Sequence, residues 1–248
     1  MTTVLEVDGL EMHFGMVTAA QGLNVTVVGG ELVGIIGPNG AGKTTFINLL
    51  TGYLRPEAGR IHLLGLDVVG RHPHEVARLG VGRSFQIPQL FLTLTVLDNV
   101  LLALATAAGR SLDPWHPLHR LDRVDTARGV LDQFGLADHA HRPAAELAEG
   151  ARKLLDVAMA FAPGPRLLLL DEPTSGVSVE EKYEVMETLT AVLRRSRVTT
   201  LFVEHDMDVV RRYADRVLVL SDGRFIADGG PTDILGDPDI QRAVAGRV

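Results

Sequence analysis

The sequence predicts an α/β fold: a mostly parallel core sheet, an N-terminal antiparallel β region and an inserted helical subdomain. Three observations predict it. After Ala162, apolar strands alternate with helical stretches: RLLLLDEP, a helix over 179–195, TTLFVEH, a helix over 206–214, then RVLVLSDG. That alternation is the pattern of parallel strands joined by crossover helices. Before residue 95 the segments are short, rich in β-branched residues and punctuated by glycine, as in strands and hairpins. Between Thr95 and Ala162 the apolar spacing is mainly helical. The expected organisation is one domain over 1–248. Its core spans about 1–94 and 163–235, the helical subdomain about 95–162 and a C-terminal tail about 236–248.

The elements follow in order. VLEVDGLEMHFG alternates as a strand and breaks at Gly15. LNVTVVGGELVGII is a strand, a Gly29–Gly30 turn and a second strand. GPNGAGKTTFINLLTG is a glycine loop entering a short helix that ends near Gly52. Residues 54–70 are short antiparallel strands with turns at Pro56–Gly59 and Gly65, and VGRSFQIPQLF is a strand and loop. DPWHPLH, at 113–119, interrupts the helical stretch as a surface loop whose histidines are expected to be solvated rather than metal-bound. A short hairpin and the tail close the chain.

Composition narrows the function. With 248 residues and 46% hydrophobic content the chain can bury a proper core. No apolar run reaches the roughly 18 residues of a membrane helix, and MTTVLEVDGL lacks the basic and apolar regions of a signal peptide. There is no cysteine, hence no disulfide and no thiolate metal site. A net charge of −7 argues against a broad nucleic-acid surface, and no nucleic-acid partner is expected. A cytoplasmic protein fits all of this.

The chemistry is carried by strand ends. Gly37-Pro38-Asn39-Gly40-Ala41-Gly42-Lys43-Thr44 fits the phosphate-binding pattern G-x-x-x-x-G-K-[ST], with a strand before it and a helix after. Glycines let backbone N–H groups turn toward phosphates, and the helix N-terminus adds its positive end. Lys43 can reach the β- and γ-phosphates of a nucleotide, and the Thr44 hydroxyl can ligate Mg²⁺. Asp171 and Glu172 end a strand of four leucines, and ligands gather at the carboxyl ends of parallel strands. Asp171 is placed to hold Mg²⁺ and Glu172 to act as general base on water; a capped strand end is the plain alternative for LLLLDEP alone. His205 ends TTLFVEH, as a γ-phosphate contact that orients water or as an exposed strand-end histidine. Gln86, in RSFQ, can ligate Mg²⁺ through its amide oxygen and sense the γ-phosphate.

The order and spacing of the phosphate loop, Gln86, LAEGA, LLLLDEP and His205 resemble the ATP-binding-cassette (ABC) ATPases, from about Val4 to the last residues. GRSFQIPQLFLTLTVLDNV, LAEGARKLLDVAMAF, DEPTSGVSVEEK, FVEHDMDVV and TDILGDPDIQRAVAG resemble most the ATP-binding subunits of branched-chain amino-acid uptake transporters. Urea-uptake and lipopolysaccharide-exporter ATPases are close alternatives. The resemblance implies the P-loop NTPase fold of these ATPases, ATP and Mg²⁺ as ligands, and nucleotide contacts from Gly37 through Thr45. It also implies contacts to a partner's ATP from Leu147, Ala148, Glu149, Gly150 and Ala151. Phe14 matches the aromatic that stacks on adenine, with a buried core ring as the rival reading.

Two departures stand out. The family signature is usually L-S-G-G-Q, whereas Ala148, Glu149 and Ala151 differ here. Ser178 stands where the family commonly has Asp or Asn. A Glu149 carboxylate about 4 Å from a partner's γ-phosphate would meet a repulsion of about 4 kcal/mol at an effective dielectric near ~20. The expectation is therefore that a helix from Ala151 to about Ala162 points its N-terminus at the phosphate, buries Leu154, Leu155, Ala158 and Phe161, and lets Glu149 turn aside. Gly150 is then needed for backbone approach.

The resemblance further implies a peripheral subunit on the cytoplasmic face of the inner membrane. Its expected partners are a second cassette (a heterodimer is expected, a homodimer being the alternative), two permease subunits and an extracytoplasmic solute-binding protein. A non-transport cassette ATPase is a weaker rival, because no long coiled coil and no second cassette is present. A P-loop kinase or GTPase leaves LAEGA and His205 without a role.

Overall fold

The structure, a computed structural model, describes residues 2–108 and 121–245. The DPWHPLH loop and the last three residues of the tail lie outside them. In chain order the elements are β1 (Thr3–Phe14), β2 (Val17–Val28), β3 (Leu32–Ile36), α1 (Lys43–Leu50), β4 (Ala58–Leu63) and β5 (Leu66–Asp67). Then come α2 (Pro73–Arg78), β6 (Val81–Arg83), α3 (Val96–Ala107), α4 (Leu121–Gln133), α5 (Glu149–Phe161) and β7 (Leu167–Asp171). The chain continues through α6 (Val179–Ser196), β8 (Thr199–Val203), α7 (Met207–Tyr213), β9 (Arg216–Ser221), β10 (Arg224–Gly229), α8 (Pro231–Gly236) and α9 (Pro238–Ala245).

Two sheets result. An antiparallel sheet has the order β2-β1-β4-β5, and a larger sheet the order β10-β9-β3-β8-β7-β6. In the larger one β9, β3, β8, β7 and β6 run parallel and only the β10 edge is antiparallel. The apolar strands β3, β7 and β8 are buried along their whole length, because both faces are covered. Alternate residues divide between two cores. Ile35, Leu169, Leu201 and Leu218 join α1 and the antiparallel sheet. Leu168, Leu170, Phe202 and Val219 join α3, α5, α6 and α7. At Gly82 in β6, an added Cβ would lie 2.5 Å from the Ala160 carbonyl oxygen. Only glycine lets α5 seat this closely on the sheet, which brings the loop after β6 under the helix.

Several boundaries differ from the sequence reading. α5 starts at Glu149 rather than Ala151, so Glu149 and Gly150 belong to its first turn. α2 was not expected: it is six residues long and buries only Val76, too little for periodicity to register. It is held by Pro73 at its start and a capping box between His72 and Glu75. Gly59 lies inside β4 opposite an irregularity in β1 rather than in a turn. The tail is helical over its described part, with Ile234, Ile240 and Val244 packed on the second core. Among the described residues no helix is long and apolar enough to cross a membrane.

Candidate functional site

Because β3, β6, β7 and β8 run parallel, their carboxyl ends lie along one edge of the sheet. The loop after β3 carries Gly37–Gly42. Gly40 and Gly42 have positive φ, 80° and 103°, a region that side-chain-bearing residues avoid. A Cβ at Gly42 would lie 2.2 Å from the Ala19 carbonyl oxygen, and one at Gly37 2.0 Å from that of Leu220. The loop is thus wedged between β2 and β9, with Ala41 buried beneath it. Lys43 folds back into the loop, and its Nζ donates to the Gly37 and Pro38 carbonyls at 2.7 and 2.9 Å. Burial pushes the Lys43 pKa down, while the carboxylates of Glu172 and Asp171 push it up. Asn39 and Thr44 are exposed and Thr45 is half-buried.

Asp171 ends β7 and is buried. Burial pushes its pKa up, opposed by Arg83, whose guanidinium lies 3.6 Å from Oδ2. Its other oxygen, Oδ1, is buried with no hydrogen-bond partner among the described residues. A buried carboxylate oxygen left unsatisfied is costly. It fits a divalent cation that takes one protein carboxylate and completes its shell with phosphate oxygens and water, as Mg²⁺ does.

Glu172 has a left-handed backbone, φ 52°, and its amide donates to the Val203 carbonyl at 3.1 Å. One carboxylate oxygen accepts from Gln86 Nε2 at 2.7 Å. The other lies 2.6 Å from His205 Nε2. The ends of β6, β7 and β8 therefore bring Gln86, Glu172 and His205 into one contact chain. Together with Lys43 and Asp171, whose charges act on each other and on Glu172, they form a cluster of acids, cation and imidazole beside the Gly37–Gly42 loop.

Other expectations resolve differently. Phe14 is 47% exposed at the end of β1, so the buried-ring reading is wrong. Ser178 caps α6: its hydroxyl accepts from the Glu181 amide at 3.3 Å, and the Glu181 carboxylate accepts from the Ser178 hydroxyl at 3.1 Å. In the LAEGA stretch Leu147 is buried, Ala148 is the exposed N-cap of α5 with no side-chain bond, and Ala151 is half-buried. Glu149 lies 3.7 Å from Arg152. Gly150 is buried, and a Cβ there would lie 3.3 Å from Val185 of α6. A Cβ at Gly150 would thus be a tight contact with α6, and a larger side chain would overpack the gap. No hydrogen bond or ion pair joins 147–151 to the Gly37–Thr45 loop among the described residues.

Four functional candidates were missed. Lys153 and Asp156 are buried on α5, where Leu154 was expected; Leu154 is only half-buried. Arg83 stacks over Phe85 and Tyr53, with its guanidinium carbon 4.6 and 5.2 Å from the ring centres, and donates to Asn48 and Thr51. Glu204 is buried, accepting from the Thr174 amide and hydroxyl at 3.1 and 2.7 Å, and burial pushes its pKa up. The available signal was a charge at an apolar-face position, such as Lys153 three residues from Gly150 and four from Val157.

Comparison with known proteins is consistent along the chain. Residues 20–175 match the ABC transporter family model. Over 249 residues, and 98% of both chains, the protein is 37% identical to the high-affinity branched-chain amino acid transport ATP-binding protein LivG of Escherichia coli (strain K12). BraF of Pseudomonas aeruginosa, of the same description, is likewise 37% identical over 98% of both chains. A probable LivG of Archaeoglobus fulgidus is 34% identical over 98% of this chain and 95% of its own. The ADP conformation of MJ1267, an ATP-binding cassette of an ABC transporter, superposes with a TM-score of 0.88 at 30% identity, covering 100% of both chains. A nucleotide-free cassette from an ABC transporter gives 0.87 at 30% identity, covering 99% of this chain and 100% of its own. The chain belongs to the ABC transporter family, as the ATP-binding subunit that hydrolyses ATP.

Proposed function

We propose that this ATPase energises the import of a branched-chain or related amino acid, from the cytoplasmic face of the inner membrane. The observation that carries the solute class is the 37% identity to LivG and BraF, which spans 98% of each chain and so includes the tail. Residues 95–162 serve as the helical subdomain against which a permease docks, and the remainder to 235 as the nucleotide-binding core. Two such cassettes, in a heterodimer, work with two permease subunits and an extracytoplasmic binding protein. ATP lies between one subunit's Gly37–Thr45 loop and the other's Leu147–Ala151 stretch, with Phe14 stacking on the adenine.

In the site, loop amides and Lys43 hold the β- and γ-phosphates. Thr44, Asp171 and Gln86 would hold Mg²⁺, which neutralises phosphate charge when bound. Glu172 takes a proton from water as its oxygen attacks the γ-phosphorus and the bond to the β-phosphate oxygen breaks. His205, 2.6 Å from Glu172, orients that water and the γ-phosphate. The contact chain Gln86–Glu172–His205 supports these roles, because it joins the proposed base to both groups that contact the phosphate.

The test is co-expression with neighbouring permeases and a binding protein, followed by ATP-driven uptake of radiolabelled leucine and urea into vesicles. Leucine uptake that requires this chain is expected. Uptake of urea alone overturns the solute class, and an ATPase that purifies with soluble partners only overturns the transport role.

A further inference from the structure

Lys153 is a lysine with its side chain deep in the protein, only 3% exposed. Its Nζ donates to three acceptors on two separate segments: the Gln86 carbonyl after β6, and the Ser175 hydroxyl at 2.9 Å and Glu172 carbonyl at 3.5 Å in the turn after β7. An ammonium has three N–H donors, and here each is used. Every acceptor is a neutral oxygen. The balancing carboxylates, Glu149, Asp156, Glu204 and Glu172, act at longer range, and burial pulls the lysine pKa down against them.

Three residues on, Asp156 is also buried, and it accepts from the Phe85 and Gln89 amides at 3.1 and 2.9 Å. Helix α5 therefore grips the backbone of the 85–89 loop at three points: two amides through Asp156 and one carbonyl through Lys153. Lys153 extends that grip to the end of β7, where Glu172 keeps its left-handed backbone. Ser175 completes the local turn, its amide donating to the Glu172 carbonyl at 3.1 Å.

We propose that Lys153 is a positioning residue for ATP hydrolysis: its ammonium ties the backbones of Gln86 and Glu172 to each other and to α5, so that the Gln86–Glu172 side-chain contact is held. This rests on the reading of Glu172 as the base. Because α5 opens with the LAEGA stretch, a shift of this helix against β7 is transmitted to Glu172 through Lys153. No part of the role requires Lys153 to touch nucleotide.

The experiment uses the assembled transporter, with Lys153→Met to remove the donors while keeping the apolar stem and Lys153→Arg to keep charge and donors. Lys153→Met is expected to lower kcat at least 10-fold with KM for ATP changed less than 3-fold. Hydrogen exchange should rise in peptides covering 84–90 and 172–176 but not 37–45. Lys153→Arg should recover kcat to within about 3-fold of the parent. A Lys153→Met variant within 2-fold of parental kcat overturns the proposal, as does a loss that appears in KM alone. If Lys153→Met fails to fold, Lys153→Gln takes its place with the same criteria. Glu172→Gln, run alongside, separates the two readings. If it keeps parental turnover, the base assignment fails and the proposal with it; if it abolishes turnover while Lys153→Met does not, only the proposal fails.

Discussion

Gly150 offers a direct test of what the start of α5 is for. A Cβ added there lies 3.3 Å from Val185 Cγ2, 3.8 Å from Glu181 Cβ and 3.9 Å from Glu181 Oε1. Gly150→Ala thus makes one tight contact, which a few tenths of an ångström in Val185 relieves. It gains helix propensity of about 0.5–1 kcal/mol, so the two effects nearly cancel. Gly150→Asp drives a larger group into the same gap, an overpacking cost of about 1–3 kcal/mol. It also sets a carboxylate beside Glu181, which is partly solvated, adding about 1 kcal/mol of repulsion at most. A favourable interaction with the helix N-terminus returns about 0.3–1 kcal/mol. The net loss is about 2 kcal/mol, which in a chain of this size lowers Tm by roughly 4–8 °C. The assay is thermal and urea unfolding of the isolated chain without nucleotide, where an unchanged m-value ties any midpoint shift to stability. An Asp variant that unfolds with the parent refutes the packing argument. So does an Ala variant as unstable as Asp. An Ala variant of parental stability whose ATPase collapses in the assembled transporter would instead assign the glycine to close approach of the partner's phosphate.

Other outcomes follow from the same geometry. Lys43→Ala is expected to weaken ATP binding by about 10²-fold or more, about 2.7 kcal/mol, in equilibrium titration of the isolated chain; near-parental affinity removes Lys43 from the phosphate site. Glu172→Gln should bind ATP yet hydrolyse it about 10²-fold or more slowly, with His205→Ala following in the same direction less severely; turnover at the parental rate in the assembled complex assigns either residue a structural role. Glu204→Gln keeps the two Thr174 bonds and gives up the 3.3 Å bond from the His205 amide. Because burial raises the folded-state pKa of Glu204, its contribution to stability is full below the unfolded glutamate pKa of about 4.3 and is lost as pH rises through the raised folded value. The variant should therefore lose less stability than the parent on going from acid to neutral pH, measured by denaturant titration across that range; identical pH slopes contradict the burial argument. Glu149→Gly should leave ATPase of the complex within about 1 kcal/mol, or five-fold, and a large gain would show that this carboxylate opposes the phosphate.

The legible parts of the fold and site are those written in short-range spacing. The Gly37–Thr45 loop needs glycines where φ is positive and a lysine at the start of a helix, and all of that lies within nine residues. β3, β7 and β8 are unbroken apolar runs because both sheet faces are covered, so their ends and the residues on them could be located. The contacts of Gln86 and of His205 with Glu172 could only be expected from the order of the motifs, since they depend on β6, β7 and β8 being neighbours. What escaped reading had a local pattern that misleads. α2 buries one apolar side chain, Val76, so no period marks it. Lys153 and Asp156 occupy buried positions of α5 that a hydrophobicity pattern assigns to solvent, and their partners are backbone groups from another segment, which no side-chain pattern records. Gly150, expected to let a phosphate approach the backbone, also faces Val185 and Glu181 of α6, a helix that begins about thirty residues later, and no spacing within LAEGA records that contact.

The glutamate in LAEGARK is less anomalous once its neighbours are counted. Glu149 is the first helical residue of α5, where a negative side chain meets the positive end of the helix. It lies 3.7 Å from Arg152, and of the carboxylates that act on Lys153 it has the largest effect. Between residues 149 and 153 one acid is answered by two bases, Arg152 beside it and the buried Lys153 one turn on. Ala148, as N-cap, brings no side-chain acceptor to the helix end. The amides of Glu149, Gly150 and Ala151 accordingly have no acceptor among the described residues, and they remain available to an oxygen from outside the chain. A serine in place of Ala148 could cap one of these amides itself. The departure from the usual signature therefore removes a hydroxyl donor but leaves the helix end open, and it places the compensating cations within one turn of the added carboxylate. One of those cations, Lys153, is the residue that reaches the carbonyls of Gln86 and Glu172. In this chain the charge of the signature stretch and the position of the proposed base are thus connected through a single side chain.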